Sequence, residues 1–229
     1  MKKYSILFKT SAILSYLFLF FGLSWTTQFW RNYWEFSSWV GNVIWIRNII
    51  SVLFIGLMVW IFIRSGNAYL FHIPRKKWLS YSVLTVLAAV VLICFNYLTA
   101  KHVQGTNESW NLFIVYSETN FAEFGVYLTL IVLGPLMEEL VCRGLLQHAF
   151  FKNSRWGLDI LFPSILFALP HFSSFPSLLD LLVYTTVGCI FGCLTRYTKT
   201  IYPSYTIHII NNIIANLPFI MTFLHRVLG

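Results

Sequence analysis

The stretch that decides the fold is residues 122–147, AEFGVYLTLIVLGPLMEELVCRGLLQ. It is long and apolar enough to cross a bilayer, because a spanning helix needs roughly 20 mostly apolar residues for a ~30 Å hydrocarbon core. The same stretch carries two adjacent acids, Glu138 and Glu139, followed by Arg143. Charged side chains at membrane depth are costly, and they mark functional sites. The stretch therefore predicts a transmembrane helix that carries a polar site.

The composition of the whole chain also excludes a soluble domain. Of the 229 residues, 58% are apolar and only 10% are charged, whereas a soluble domain carries about 25% charged residues. The 16 Lys and Arg residues and eight acids give a net charge of +8. These basic residues are spread between apolar runs and form no patch, which argues against a nucleic-acid partner. The four cysteines lie inside apolar runs, where no disulfide framework is expected.

Seven apolar runs are candidates for membrane spans, so the sequence predicts an all-α, polytopic bundle of about seven transmembrane helices around a polar intramembrane cavity. They are residues 10–26, 48–63, 78–100, 122–147, 157–170, 177–195 and 201–222. Lys and Arg are concentrated in alternate connections, and the positive-inside rule then places the N-terminus in the cytoplasm and the C-terminus outside. The first connection is assigned to the outer side, although it holds Arg31 and Arg47. The predicted location is the cell membrane, as a multi-pass protein.

The three charged residues in the second half of the fourth run divide into a pair and a single acid. Glu139 and Arg143 are four residues apart and share one helix face, so they can form an ion pair. Glu138 points about 100° away from Glu139 and has no local partner. A solvated helix end is the alternative explanation for these charges.

Two later runs carry further polar residues at helical spacing. Phe167 and His171 are four residues apart, and so are His208 and Asn212. Two histidines, an unpaired glutamate and an amide on three separate spans favour one shared polar cavity. Pro135 and Pro170 are expected to bend their helices near this cavity, which we expect to open toward the cytoplasm.

Taken together, these residues resemble the CAAX-protease and bacteriocin-processing (CPBP, or Abi) family of intramembrane endopeptidases. The resemblance rests on three motifs in fixed order: Glu138-Glu139-x-x-x-Arg143, Phe167-x-x-x-His171 and His208-x-x-x-Asn212. It implies two regions, residues 1–120 with transmembrane spans that lack a motif, and residues 121–222 with the catalytic helices. It also implies a membrane-associated peptide or protein as the substrate, with the lipid bilayer as the surrounding medium.

The resemblance implies that Glu138, His171, His208 and Asn212 are catalytic, with Glu139, Arg143 and Phe167 supporting them. Two schemes remain open for their chemistry. In one, Glu138, His171 and His208 hold a divalent metal, zinc, that activates water. In the other no metal takes part: Glu138 with His171 deprotonates water, while His208 and Asn212 stabilise the oxyanion. The His-Glu-x-x-His zinc signature is absent from the sequence, which favours the metal-free scheme.

Three functions are consistent with the sequence. The first is an intramembrane endopeptidase acting in bacteriocin, pheromone or lipidated-protein processing, or in bacteriocin self-immunity. The second is a non-catalytic membrane immunity or binding protein that retains the polar cluster for folding. The third is a proton-coupled transporter, which we consider weaker because the sequence shows no inverted repeat.

Overall fold

We describe the protein from a computed structural model, which describes residues 2–22, 40–101, 119–151, 153–172 and 177–229. These residues form helices, and no strand occurs among them. The helices are α1 (Lys2–Leu17, extended by a π-helical turn Phe18–Gly22), α2 (Val40–Arg64), α3 (Trp78–Thr99), α4 (Asn120–Ala149), α5 (Leu158–Ala168), α6 (Leu178–Thr198), α7 (Tyr202–Ala215) and α8 (Leu217–Leu228). Short 3-10 turns at Ala68–Phe71 and Arg75–Lys77 lie between α2 and α3. The predicted all-α bundle is confirmed.

Where the structure describes them, the seven apolar runs lie mainly on helices, but the count of seven spans is not confirmed. Four helices of the described chain are long and apolar enough to cross a membrane: Gly41–Arg64, Arg75–Thr99, Asn120–Ala149 and Leu178–Thr198. The last predicted run is bent by 73° between α7 and α8, near Pro218, which has no N–H to continue the helix. If that bent pair is one span, the number rises to 5. The runs at 10–26 and 157–170 correspond to shorter apolar helices, and residues 23–26 lie outside the described chain.

Helix α4 lies at the centre of the bundle. Helices α1, α2, α5 and α7 all pack against it, and α6 packs mainly on α5 and α7. In its most apolar 18-residue window α4 is 56% buried, compared with 17% for the helix that contains α3. The outer faces of α2 and α3 expose large apolar side chains, including Leu53, Val86 and Leu87. A soluble protein would not leave such faces in water, so we assign them to lipid contact.

Helix α4 is widened by two π-helical segments, Leu128–Leu133 and Glu139–Leu146, on either side of the α-helical Gly134–Glu138. At the first segment the N–H of Gly134 donates to the carbonyl of Thr129, five residues earlier. Pro135 follows directly and has no N–H. The sequence predicted a bend at Pro135; the structure has a wider, π-helical turn that ends just before it. Such π-bulges are frequent at functional sites.

Helices α5 and α6 pack closely because α6 has glycines at the contact. A Cβ atom on Gly188 would lie 2.9 Å from the Cβ of Ser164, and one on Gly192 would lie 3.0 Å from Cγ2 of Ile160. Small residues four positions apart allow this approach between membrane helices. After α5, a 3-10 turn at Leu169–His171 contains Pro170 and ends the helix, as expected from the sequence. This end places His171 beside α6.

Candidate active site

The two adjacent acids of α4 have different environments. Glu138 closes the α-helical segment and is 21% exposed, whereas Glu139 opens the second π-helical segment and is wholly buried. This difference follows from the roughly 100° rotation between neighbouring residues of a helix. Glu138 is therefore the acid that water and a substrate can reach.

Glu139 forms the expected ion pair with Arg143. The Nε atom of Arg143 lies 3.8 Å from Oε2 of Glu139, and both side chains are wholly buried. This separation is longer than a hydrogen bond, so the pair attracts mainly through charge. The Nη2 atom of Arg143 donates to the carbonyl of Gly188 at 3.1 Å, and its guanidinium carbon lies 4.8 Å from the ring centre of Phe167 and 5.6 Å from that of Phe191. Three helices thus hold the Arg143 side chain in place.

His208 of α7 lies between the two acids. Its Nδ1 atom is 3.1 Å from Oε1 of Glu139, and its Nε2 atom is 3.6 Å from Oε2 of Glu138. An ionised carboxylate only accepts hydrogen bonds, so the Nδ1–H of His208 donates to Glu139. The imidazole ring also packs on Phe191, with ring centres 4.7 Å apart. Glu139 therefore orients His208 as well as pairing with Arg143, a contact that spacing along one helix could not reveal.

His171 faces the same group of side chains from the end of α5. Its Nδ1 atom lies 2.8 Å from the carbonyl oxygen of Phe167, so Nδ1–H donates and Nε2 is left with its lone pair in the neutral ring. The ring centre lies 4.8 Å from that of Phe167 and 4.8 Å from that of Tyr184. Glu138 and His208 are among the groups that act electrostatically on His171. The second motif therefore reaches the same site as the first and third.

Asn212 lies on the His208 face of α7, but its amide donates to the backbone of α4, a contact that the sequence did not predict. Its Nδ2 atom donates to the carbonyl of Leu130 in the first π-helical segment of α4, at 2.8 Å. One of its two amide hydrogens is thereby engaged, and the other remains for a further partner. The structure thus brings Glu138, His171 and His208 together and anchors Asn212 on the backbone of α4. Donation from Asn212 to a substrate remains a prediction.

Glu138, His171 and His208 are the side chains that the metal scheme expects to hold zinc. Among the described residues, no three His, Cys, Asp or Glu side chains form a group that could hold a metal ion. The Nδ1 atoms of His171 and His208 are both engaged by protein oxygens. We therefore derive no chemical step through a metal, and the zinc alternative remains a prediction that metal analysis can test.

Arg47 corrects the interpretation of the first connection. The sequence placed Arg47 outside the membrane, but it lies within α2 (Val40–Arg64). Helix α2 packs on the segment Gly134–Glu138, and Glu138 acts electrostatically on Arg47. The apolar residues Val43–Ile46 before Arg47 continue the span, and this was the signal that could have placed it. Arg31 lies outside the described residues.

Other supporting residues were also missed from the sequence. Gln147 follows Arg143 by four positions, and its Nε2 atom donates to the carbonyl of Gly192 at 3.0 Å. Arg143 and Gln147 therefore bind carbonyls that are themselves four residues apart on α6. The sequence shows that Arg143 and Gln147 have the same spacing as Gly188 and Gly192. It does not show that the two pairs face each other.

Two acids, two histidines and an arginine thus lie together inside a bundle of apolar helices, an arrangement that fits an intramembrane enzyme. Comparison with known proteins identifies a family that is similar to this chain. Residues 120–214 match the family described as Rce1-like, type II CAAX prenyl endopeptidase Rce1-like. The matched segment contains all three motifs and confirms the resemblance to CAAX-type membrane proteases. No curated protein and no solved structure gave a significant match.

Proposed function

We propose that the protein is an intramembrane endopeptidase that hydrolyses a peptide bond of a membrane-associated peptide or protein, with Glu138 as the general base. The observation that carries the proposal is the position of His208, 3.6 Å from Glu138 and 3.1 Å from Glu139. The family match over residues 120–214 supports protease activity in general.

Glu138 is suited to activate water. It is the exposed member of the acid pair, and a carboxylate within reach of water can take its proton as the bond to the substrate carbonyl forms. His171 presents its Nε2 atom without a proton in the neutral ring, so it can accept a hydrogen bond from the same water. The hydroxide adds to the carbonyl carbon, and the proton moves to Glu138.

His208 is suited to stabilise the oxyanion that this addition creates. Donation of its Nδ1–H to Glu139 fixes the ring, and a protonated Nε2 can then donate to the developing charge. The second amide hydrogen of Asn212 provides a further donor. Glu138 then returns the proton to the leaving amine nitrogen as the C–N bond breaks.

The membrane setting and the matched family indicate which substrates to test. The matched family is described by its action on CAAX prenyl proteins, so a farnesylated peptide ending in a CAAX sequence is the first substrate to test. Apolar peptides without a lipid represent bacteriocin or pheromone precursors. A substrate presented within the bilayer fits a site that lies on transmembrane helices.

The test compares wild-type protein with Glu138→Gln in liposomes that contain these peptides. Loss of the base should lower turnover by at least ~10²-fold, while binding of the peptide is retained. Glu123→Gln is the matched control, because Glu123 lies on the same helix and pairs with Arg226 at 2.9 Å, at the other end of α4. Near wild-type turnover by Glu138→Gln would refute the assignment. Equal peptide binding without any cleavage by the wild type would instead support the non-catalytic immunity protein.

A further inference from the structure

We infer that Pro135 and Asn212 form one positioning unit, in which Asn212 supplies the hydrogen bond that Pro135 cannot make and thereby fixes α7, with His208, against α4. The consequence for catalysis rests on the proposed function. The contact itself does not, because it joins two helices whether or not the protein cleaves peptides.

Within α4, the carbonyl of Leu130 lacks a backbone hydrogen-bond donor. The carbonyl of Leu130 would receive its helical hydrogen bond from residue 134 in an α-helix or from residue 135 in a π-helix. The N–H of Gly134 donates to Thr129, and Pro135 has no N–H. Neither helical donor is therefore available to Leu130.

Asn212 fills this gap from the neighbouring helix. Its Nδ2 atom lies 2.8 Å from the carbonyl oxygen of Leu130. Inside a bilayer no bulk water replaces a lost backbone hydrogen bond, and an unsatisfied carbonyl is costly. The bond made by Asn212 thus satisfies α4 and ties α7 to it at the same point.

Two further amides fix the orientation of the Asn212 side chain. The Nδ2 atom of Asn211 donates to Oδ1 of Asn212 at 3.4 Å, and Nδ2 of Asn96 on α3 donates to Oδ1 of Asn211 at 2.6 Å. The row of amides runs from α3 through α7 to α4. It turns the carbonyl end of Asn212 toward Asn211 and its NH₂ group toward Leu130.

This tie lies next to the proposed catalytic histidine. His208 is four residues before Asn212 and three residues after Tyr205, so the three side chains share one face of α7. The hydroxyl of Tyr205 donates to the carbonyl of Val132 at 3.1 Å. His208 therefore lies between two contacts to the first π-helical segment, which set the position of its ring relative to Glu138.

The experiment is a double-mutant cycle with Asn212→Ala and Pro135→Ala in the full-length protein in detergent or liposomes. Alanine at position 135 restores an N–H that can donate to Leu130, so Asn212 becomes less necessary. We expect Asn212→Ala to lower Tm, and to lower it less when Pro135→Ala is also present. We also expect Asn212→Ala to lower kcat by at least about tenfold with little change in KM, as for a misplaced catalytic group. This loss should persist when Pro135→Ala is also present, because the restored N–H satisfies Leu130 but does not tie α7 to α4.

The control is Tyr205→Phe, which removes the hydrogen bond to the carbonyl of Val132. In a π-helix the carbonyl of Val132 does not receive its hydrogen bond from residue 135. Its effect on Tm should be the same with and without Pro135→Ala. An equal Tm loss for Asn212→Ala in both backgrounds would overturn the inference. Recovery of kcat together with Tm in the double variant would overturn the positioning of His208, because turnover would then not need the tie between α7 and α4.

A second variant keeps the inference testable if Pro135→Ala does not fold. Asn212→Leu keeps the branched shape of the side chain but has no donor, so it should lower Tm by roughly 2–4 °C. An unchanged Tm would show that Asn212 is not needed to satisfy Leu130. These Tm measurements require no substrate, so a protein that proves not to be a protease would still test the tie between α7 and α4.

Discussion

Removing one member of the Glu139–Arg143 pair should destabilise the protein more than removing both. The two side chains are wholly buried and their closest charged atoms are 3.8 Å apart. At that separation, an effective dielectric constant of about 20 gives an attraction of about 4 kcal/mol. Loss of one partner from a buried pair costs on the order of 3–5 kcal/mol, because the remaining charge is left without compensation.

The double-mutant cycle uses Glu139→Gln, Arg143→Met and the two together. Arg143→Met also removes the hydrogen bond to Gly188 and the packing of the guanidinium on Phe167, so it should be the more harmful single change. Glu139→Gln leaves an amide oxygen that can still accept from His208. We therefore expect the double variant to be more stable than the Arg143→Met variant.

The assay is reversible unfolding in mixed micelles, followed by helical circular dichroism, with turnover measured on the folded protein. A coupling free energy of 0.5–3 kcal/mol is usual for residues in contact, and a buried ion pair should lie toward its upper end. Losses that simply add would refute the reasoning, because they would show that the two charges stabilise the fold independently. The exposed residue Arg155 on the connection after α4 provides a surface-charge control, Arg155→Gln.

Three further predictions concern the surroundings of the site. Tyr184→Leu should lower kcat by roughly tenfold, because the Tyr184 ring packs 4.8 Å from that of His171. Tyr184→Phe should retain most of the activity, and Tyr197→Leu on the exposed face of α6 should have no effect. Full activity of Tyr184→Leu would contradict this role. Arg47→Met should lower kcat/KM more than Arg47→Lys, since Arg47 interacts with Glu138 through its charge, and equal losses would exclude a role for that charge. In the metal-free scheme activity should survive exhaustive chelation, whereas about one equivalent of zinc that is lost and restored together with activity would establish the zinc alternative.

Local spacing predicted which residues meet along a single helix. The four-residue separation of Glu139 and Arg143 predicted an ion pair, because residues at this spacing share a helix face whatever the rest of the fold does. The same rule grouped Phe167 with His171, and the structure adds that the Phe167 carbonyl receives the His171 Nδ1–H. These relations depend on one helix at a time.

Contacts between helices were less accessible from the sequence. The hydrogen bond from His208 to Glu139 and the hydrogen bond from Asn212 to Leu130 depend on how α7 is rotated and placed against α4. Neither quantity is encoded in the spacing of apolar residues. Arg47 was misplaced for a related reason, because hydropathy alone set the start of α2 too late.

By itself, the sequence determined that the protein is a helical membrane protein and which few polar residues lie at membrane depth, because composition and apolar run length report the solvent of each segment directly. It also showed the three motifs that the family match contains. Only the tertiary structure decided that Glu138 is exposed while Glu139 is buried beside His208. The physical reason is that Glu138 and Glu139 point about 100° apart, and which of them faces the core depends on the rotation of α4 in the bundle. The preceding π-helical segment, Leu128–Leu133, contributes to that rotation. Each extra residue in a turn rotates all later side chains by about 100° relative to a regular α-helix, so their final directions follow from the packed bundle.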